Sequence, residues 1–252
     1  MPTENNKRSK YTAVVTGSSG YIGKALCKKL SKNGFDVLGL DIQKPDYSFQ
    51  NDFIMTDLEA FANDEDYAHE ITNKIKENLN NKPLKLLVNN AAIQIIERID
   101  NLSRLSWRRT MSVNTDAPLF LSKALLPLFS KNNGSIINIS SIHARLTKRG
   151  FISYSASKAA LSAVTKSLAI EVGDRVRVNA IEPAAIKTPM LQAGLSEKSY
   201  EQLCSFHPQK KLGTPEDIAN LVLAITLGEF SFMHGSCIDI SGAISSRLHD
   251  PE

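Results

Sequence analysis

Several features that would decide the class of a protein are missing from this chain of 252 residues. Cysteine is scarce: Cys27, Cys204 and Cys237 are odd in number and far apart, and no Cys-x-x-Cys occurs, so a disulfide framework is not expected. The five histidines show no metal-ligand spacing such as His-Glu-x-x-His, which argues against a zinc site. No apolar run approaches the roughly 18 residues that a membrane span needs. The polar stretch Met1–Lys10 lacks the apolar core of a signal peptide. An excess of one charge is also wanting, since 30 Lys+Arg face 26 Asp+Glu. Lys7, Arg8, Lys10, Lys24, Lys28, Lys29 and Lys32 do crowd the N-terminal part, but no nucleic-acid-binding module accompanies them. The expectation is a cytoplasmic protein with no metal, no nucleic acid and no membrane partner.

What is present is an ordinary globular composition, 42% apolar and 22% charged, in a chain long enough to bury a core without staples. Apolar β-branched runs alternate with amphipathic helical patterns from end to end. Strands are expected at Tyr11–Thr16, Phe35–Asp41, Phe53–Met55, Leu84–Val88, Ser135–Ser140, Val176–Ile181 and Ser236–Ile240. Helices are expected from Ile22 to Lys32, then at Tyr67–Leu79, Leu102–Phe129, Ser153–Val172 and Pro215–Leu227, the last with Thr214 as N-cap. Such alternation predicts an α/β fold: a single Rossmann-type, doubly wound parallel sheet of about seven strands, with helices on both faces. No linker divides it, so residues 11–252 are read as one domain after a polar tail at 1–10. The stretch 184–212 has no strand pattern, carries Pro189, Gly194 and Pro208, and follows a strand's carboxyl end. It is a candidate substrate loop or lid.

Thr16-Gly17-Ser18-Ser19-Gly20-Tyr21-Ile22-Gly23 joins the first strand to the first helix. Glycines there permit a tight turn and close approach of a pyrophosphate, which the helix N-terminus would hold; a plain Gly/Ser turn is the alternative. Asp41 ends the second strand, placed to accept hydrogen bonds from an adenosine ribose. Its charge would repel the 2′-phosphate of NADP, and Lys44 is the only cation close behind it, so NAD is favoured over NADP. Tyr154-x-x-x-Lys158 puts a phenol and an ammonium on one helical face. Tyrosine is a poor base at its usual pKa near 10, and a two-unit fall needs roughly 2.7 kcal/mol. A charge about 4 Å away supplies about that at an effective dielectric of about 20. Alone this pair is a common helix face; Ser141, just past a strand, and Asn114, in a long helix, change its meaning.

In order and spacing these pieces, with Asp57, Asn89-Asn90-Ala91, Ser140-Ser141 and Asn179-Ala180-Ile181-Glu182-Pro183…Thr188-Pro189-Met190, resemble the compact branch of the short-chain dehydrogenase/reductases, from about Tyr11 to Ser241. The resemblance implies an enzyme that interconverts a secondary alcohol and a ketone by hydride transfer. Tyr154 would be the general acid/base. Lys158 would lower its pKa and bond the nicotinamide ribose, Ser141 would hold the substrate oxygen, and Asn114 would support a water-linked proton relay. Gly17, Ser18, Ser19, Gly20, Tyr21, Ile22 and Gly23 would surround the dinucleotide phosphates. Asp57, with Leu58, would meet the adenine; Asn89 and Ala91 would line the cleft; Pro183, Ile186 and Thr188 would stand at the carboxamide end. A homotetramer or homodimer is implied, with the helices that hold Trp107 and Tyr154 packing across an axis.

The chain departs from that pattern at three places. Tyr21 stands where the middle glycine is usual, while Gly20 resembles the spacing of sugar-nucleotide epimerases and dehydratases. Ala92 and Ala184 also replace glycines. An NADP-dependent carbonyl or ketoacyl reductase, and a non-catalytic NAD-binding sensor or scaffold, stay open as alternatives. Candidate substrate residues are Ser141, His143 and Gln94. The basic segment His143, Arg145, Lys148 and Arg149 either faces an anionic or polyhydroxylated substrate or forms a solvated loop. His207 is expected at the surface.

Overall fold

The structure is a computed structural model that describes residues 11–47, 52–130, 133–188, 191 and 195–247. Lys7, Arg8, Lys10, Pro189, Met190, Gly194 and the chain past Arg247 lie outside the described residues. Seven strands form one sheet: β1 Tyr11–Thr16, β2 Phe35–Asp41, β3 Asp52–Met55, β4 Leu84–Asn89, β5 Gly134–Ile139, β6 Val176–Pro183 and β7 Cys237–Ile240. Every pairing is parallel and the order is β3-β2-β1-β4-β5-β6-β7. The strand order reverses between β1 and β4, and the crevice at their carboxyl ends is where such sheets take ligands.

Strand periodicity builds two cores. Val14 and Leu87 point to one face, where α2 (Leu58–Asn63), α3 (Glu65–Leu79), α5 (Ala117–Leu125) and α6 (Ile152–Val172) cover them. Ala13, Val15, Leu86 and Val88 point to the other, beneath α1 (Tyr21–Lys32) and α8 (Pro215–Leu227). α8 starts where the sequence places it. The Thr214 hydroxyl accepts the Asp217 N–H at 3.2 Å, and the Asp217 carboxylate accepts the Thr214 N–H at 2.8 Å, a reciprocal cap.

Three expectations need correction. The long helix expected over Leu102–Phe129 is α4 (Arg104–Met111), a π-helical stretch at Ser112–Asp116, α5 and a 3₁₀ turn at Leu126–Leu128. Pro118 explains part of this: it has no N–H to give the carbonyl of Asn114 four residues back. A short helix, α2, follows β3, its start fixed by Asp57, whose carboxylate accepts the Glu59 and Ala60 N–H groups. Within 184–212 the segment Glu197–Phe206 is helical (α7), and none of its residues is buried.

Candidate active site

At the β1–α1 turn the glycines differ in what they do. Gly17 has φ +64°, and a Cβ there would lie 2.8 Å from the Cα of Ala91. A Cβ on Gly23 would lie 2.0 Å from the carbonyl oxygen of Gly17. Both are required by the turn itself. Gly20 is different: its Cβ would meet only the Gly17 carbonyl, at 3.4 Å, so the space in front of it is open. It is also the N-cap of α1 and brings no side-chain cap, which leaves the first-turn N–H groups to an anion.

Asp41 accepts the Ser19 N–H at 2.9 Å on one oxygen and the Gln43 N–H at 3.0 Å on the other. Two residues outside the predicted set hold this region together. The Asn90 amide donates to the carbonyls of Thr16 (2.9 Å) and Gly17 (3.1 Å), stitching the end of β4 to the glycine turn. The Tyr47 hydroxyl donates to the Ser18 carbonyl, and burial pushes its pKa up. Asn90 was visible in its motif but not singled out; Tyr47 had no local signal. Lys24 lies over the rings of Tyr21 and Tyr47, at 5.8 and 5.6 Å, and pairs with Asp46 at 2.5 Å.

Other predicted cofactor residues are placed as follows. Asp57 caps α2 with one carboxylate oxygen, and the Leu58 side chain is in the core. Asn89 turns inward, donating to Asn138 at 2.8 Å and Ser122 at 3.2 Å, while the Ala91 N–H bonds Thr16 Oγ1 at 3.0 Å. Pro183 ends β6, Ile186 pairs with Gly213, and Thr188 Oγ1 accepts the Leu191 N–H at 3.3 Å. Among the described residues, the open space before Gly20, the uncapped helix end and the Asp41 carboxylate fit a dinucleotide. These groups would hold its pyrophosphate and ribose.

The catalytic candidates converge at the carboxyl ends of β4 and β5 and the start of α6. The Ser141 hydroxyl accepts the His143 N–H at 3.1 Å and stands near enough to the Tyr154 phenol to lower its pKa. Lys158 is buried. Its Nζ donates to the Ile139 carbonyl at 2.8 Å and lies 5.7 Å from the centre of the Tyr154 ring. Burial lowers its pKa to about 7. Burial nonetheless holds the Tyr154 phenol above its ordinary value, opposed by the nearby Ser141 hydroxyl. Asn114, buried in the π-helical stretch, accepts the Ile93 N–H at 2.9 Å. Its amide donates to the Ile93 carbonyl at 2.9 Å and to Ser157 at 3.0 Å. Its side chain therefore locks the β4–α4 loop to α6, and its backbone carbonyl lacks the usual i+4 donor because that residue is Pro118.

The His143 ring stacks on Phe151 at 4.7 Å and meets Tyr154 edge-on at 5.6 Å; burial and Lys148 lower its pKa. Gln94 lies on the exposed loop after β4. Arg145 is spent on acids: Nε binds the buried Glu182 at 2.7 Å and a terminal nitrogen binds Asp239 at 2.6 Å. Its charge is thus neutralised within the fold. His207, expected at the surface, is only 2% exposed.

This is the arrangement of an oxidoreductase that works with a nicotinamide dinucleotide, and comparison with known proteins gives the same class. Residues 17–244 match a family model described as enoyl-(acyl carrier protein) reductase. The chain is 32% identical over 241 residues to the 3-oxoacyl-[acyl-carrier-protein] reductase FabG of Buchnera aphidicola subsp. Schizaphis graminum, covering 94% of this chain and 98% of the relative. Among solved structures it is similar to ligand-free aldohexose dehydrogenase of Thermoplasma acidophilum (TM-score 0.88, 30% identity, 96% of each chain). It is also similar to 4-hydroxyisoleucine dehydrogenase complexed with NADH (TM-score 0.86, 26% identity, 95% of this chain and 100% of that one). The chain belongs to the short-chain dehydrogenase/reductase family.

Proposed function

We propose that the protein interconverts a secondary alcohol and a ketone with NAD(H), through Tyr154, Lys158, Ser141 and Asn114. The observation that carries this reading is the buried Lys158 on the same helix as Tyr154, its Nζ 5.7 Å from the centre of the Tyr154 ring. Bound NAD supplies the hydride acceptor, and NADH the hydride donor. Ser141 holds the substrate oxygen against the phenol. Tyr154 takes the hydroxyl proton during oxidation and returns it during reduction. Desolvation alone keeps the phenol protonated, so the phenolate depends on a nearby cation, which Lys158 provides in its ammonium form. With a pKa of about 7, that lysine exchanges protons near neutrality. The Asn114 carbonyl, undonated by Pro118, is the acceptor from which a water can refill it.

Asp41 supports NAD over NADP, because a carboxylate at the ribose end repels a 2′-phosphate. Lys24, the cation beside the turn, is engaged by Asp46. Residues 11–252 act as one domain in this reading, with 184–212 as the substrate loop. Leu105, Trp107, Phe120 and Ile170 are exposed on α4, α5 and α6, which supports a homo-oligomer built on those helices.

The test is a panel of sugars, polyols, hydroxy acids and hydroxysteroids assayed by the absorbance of NADH. Tyr154→Phe is expected to lower kcat/KM by about 10³-fold, within the usual range for losing a general acid/base, while NADH affinity is retained. Undiminished turnover in that variant overturns the reading. Asp41→Ala is expected to narrow the preference for NADH over NADPH in direct binding titrations; an unchanged ratio of Kd values overturns the cofactor assignment.

A further inference from the structure

Tyr47 stands six positions past Asp41, on the segment that leaves β2, and its ring packs against the apolar core beneath α1. Lys24 of α1 lies over that ring at 5.6 Å and pairs with the neighbouring Asp46 at 2.5 Å. Held in this way, the Tyr47 hydroxyl donates to the Ser18 carbonyl. Burial pushes the phenol's pKa up, so it stays protonated and remains a donor.

The carbonyl that Tyr47 holds and the N–H that Asp41 holds belong to one peptide unit. Ser18 C=O and Ser19 N–H share a rigid plane, because the bond between them does not rotate freely. Tyr47 fixes one edge of that plane. An oxygen of Asp41, 2.9 Å from the Ser19 nitrogen, fixes the other. Turning the plane would break both bonds together. Gln43 completes the frame: its N–H bonds the second Asp41 oxygen at 3.0 Å, and its carbonyl accepts the Ser19 hydroxyl at 2.6 Å.

A carboxylate oxygen has about two acceptor sites, and each oxygen of Asp41 gives one to a backbone N–H. What remains, one site per oxygen, suits the two adjacent hydroxyls of an adenosine ribose. These sites keep a fixed direction only while the Ser18–Ser19 plane is held. We propose that Tyr47 is a positioning residue for the choice of dinucleotide: its hydroxyl, acting through the Ser18–Ser19 peptide, aims the Asp41 carboxylate at an unphosphorylated ribose. The proposal rests on the reading above that Asp41 receives the ribose of NAD, and it names the group that sets the carboxylate in place.

Binding, rather than turnover, tests it. NADH and NADPH, whose 2′ hydroxyl is phosphorylated, are titrated by fluorescence into the full chain as wild type, Tyr47→Phe, Asp41→Ala and the double variant. Tyr47→Phe removes one oxygen atom and keeps the packed ring, so the fold is retained. It is expected to raise the Kd of NADH about tenfold, the effect of one lost hydrogen bond in a charged network, and that of NADPH far less. In the Asp41→Ala background the same change is expected to leave the ratio of the two Kd values where it was, because the group it acts through is gone. An unchanged ratio in Tyr47→Phe, even with both dinucleotides weakened, overturns the proposal, as does equal narrowing with and without Asp41. The two claims fail in different places. A wrong reading of Asp41 shows in the wild type and in Asp41→Ala, whereas a wrong role for Tyr47 shows in Tyr47→Phe while those two behave as expected.

Discussion

The two faces of the sheet are built on different principles. Beneath α1 and α8 the contacts are apolar: Leu26, Leu30, Ile218, Val222 and Ile225 pack on Val15, Leu86 and Val88. Beneath α6 the same sheet is threaded with hydrogen bonds. Asn138 donates to Thr165 at 2.8 Å, the Ser140 hydroxyl bonds the Lys158 carbonyl at 3.0 Å and Ser162 at 2.9 Å, and Ser162 donates to Glu182 at 2.8 Å. Apolar packing tolerates small adjustments of a helix, whereas directional bonds to several sheet residues fix its rotation and height. The face that carries Tyr154 and Lys158 accepts the desolvation of polar groups; the other face does not.

Lys158 gives the largest test of that contrast. Its pKa of about 7 in the fold lies below the ordinary 10.5 of the unfolded chain, so between these values the unfolded chain holds more protons. Stability contributed by this residue therefore rises with pH across that window, by up to about 1.4 kcal/mol per pH unit. Below pH 7 the burial penalty is present in full. Urea unfolding of wild type and Lys158→Met is expected to show this slope in the first and not the second; parallel pH dependences would break the comparison.

A smaller effect is expected where the bonded face meets its edge. Arg145→Met leaves the Glu182 carboxylate buried with Ser162 as its remaining bond, at a cost of about 3 kcal/mol in urea unfolding. Adding Glu182→Leu is expected to recover part of it. The smallest belongs to the apolar face: Val222→Ala costs about 2 kcal/mol, and kcat/KM per folded molecule stays at the wild-type level. A change in kcat/KM would show that the faces are not separable.

Much of the fold was legible because each strand is a short β-branched or leucine run ended by a turn signal, and α8 announces itself with Thr214 and Pro215. α2 was missed because it is little more than one turn long and follows β3 directly. α7 was missed for the opposite reason: it buries no residue, so it leaves no apolar stripe to read. The π-helical stretch around Asn114 could not be separated from the α-helical pattern over so few residues. At the site, Tyr154 and Lys158 were legible from their spacing, Ser141 and Asn114 only beside them and through the family resemblance, and α6 carries both Tyr154 and Lys158, the Lys158 Nζ 5.7 Å from the Tyr154 ring centre. The engagement of Arg145 by Glu182 and Asp239, 37 and 94 positions away, depends on strand order and had no local signature. The burial of His207 likewise comes from how the chain after α7 folds back against the residues that follow β7.

Both rims of the sheet, β3 and β7, are only four residues long. Rows of unpaired backbone groups so brief offer a poor template for a strand from another molecule. The native monomer is thereby protected from edge-to-edge fibril growth, and the hazard passes to states in which the longer inner strands come apart.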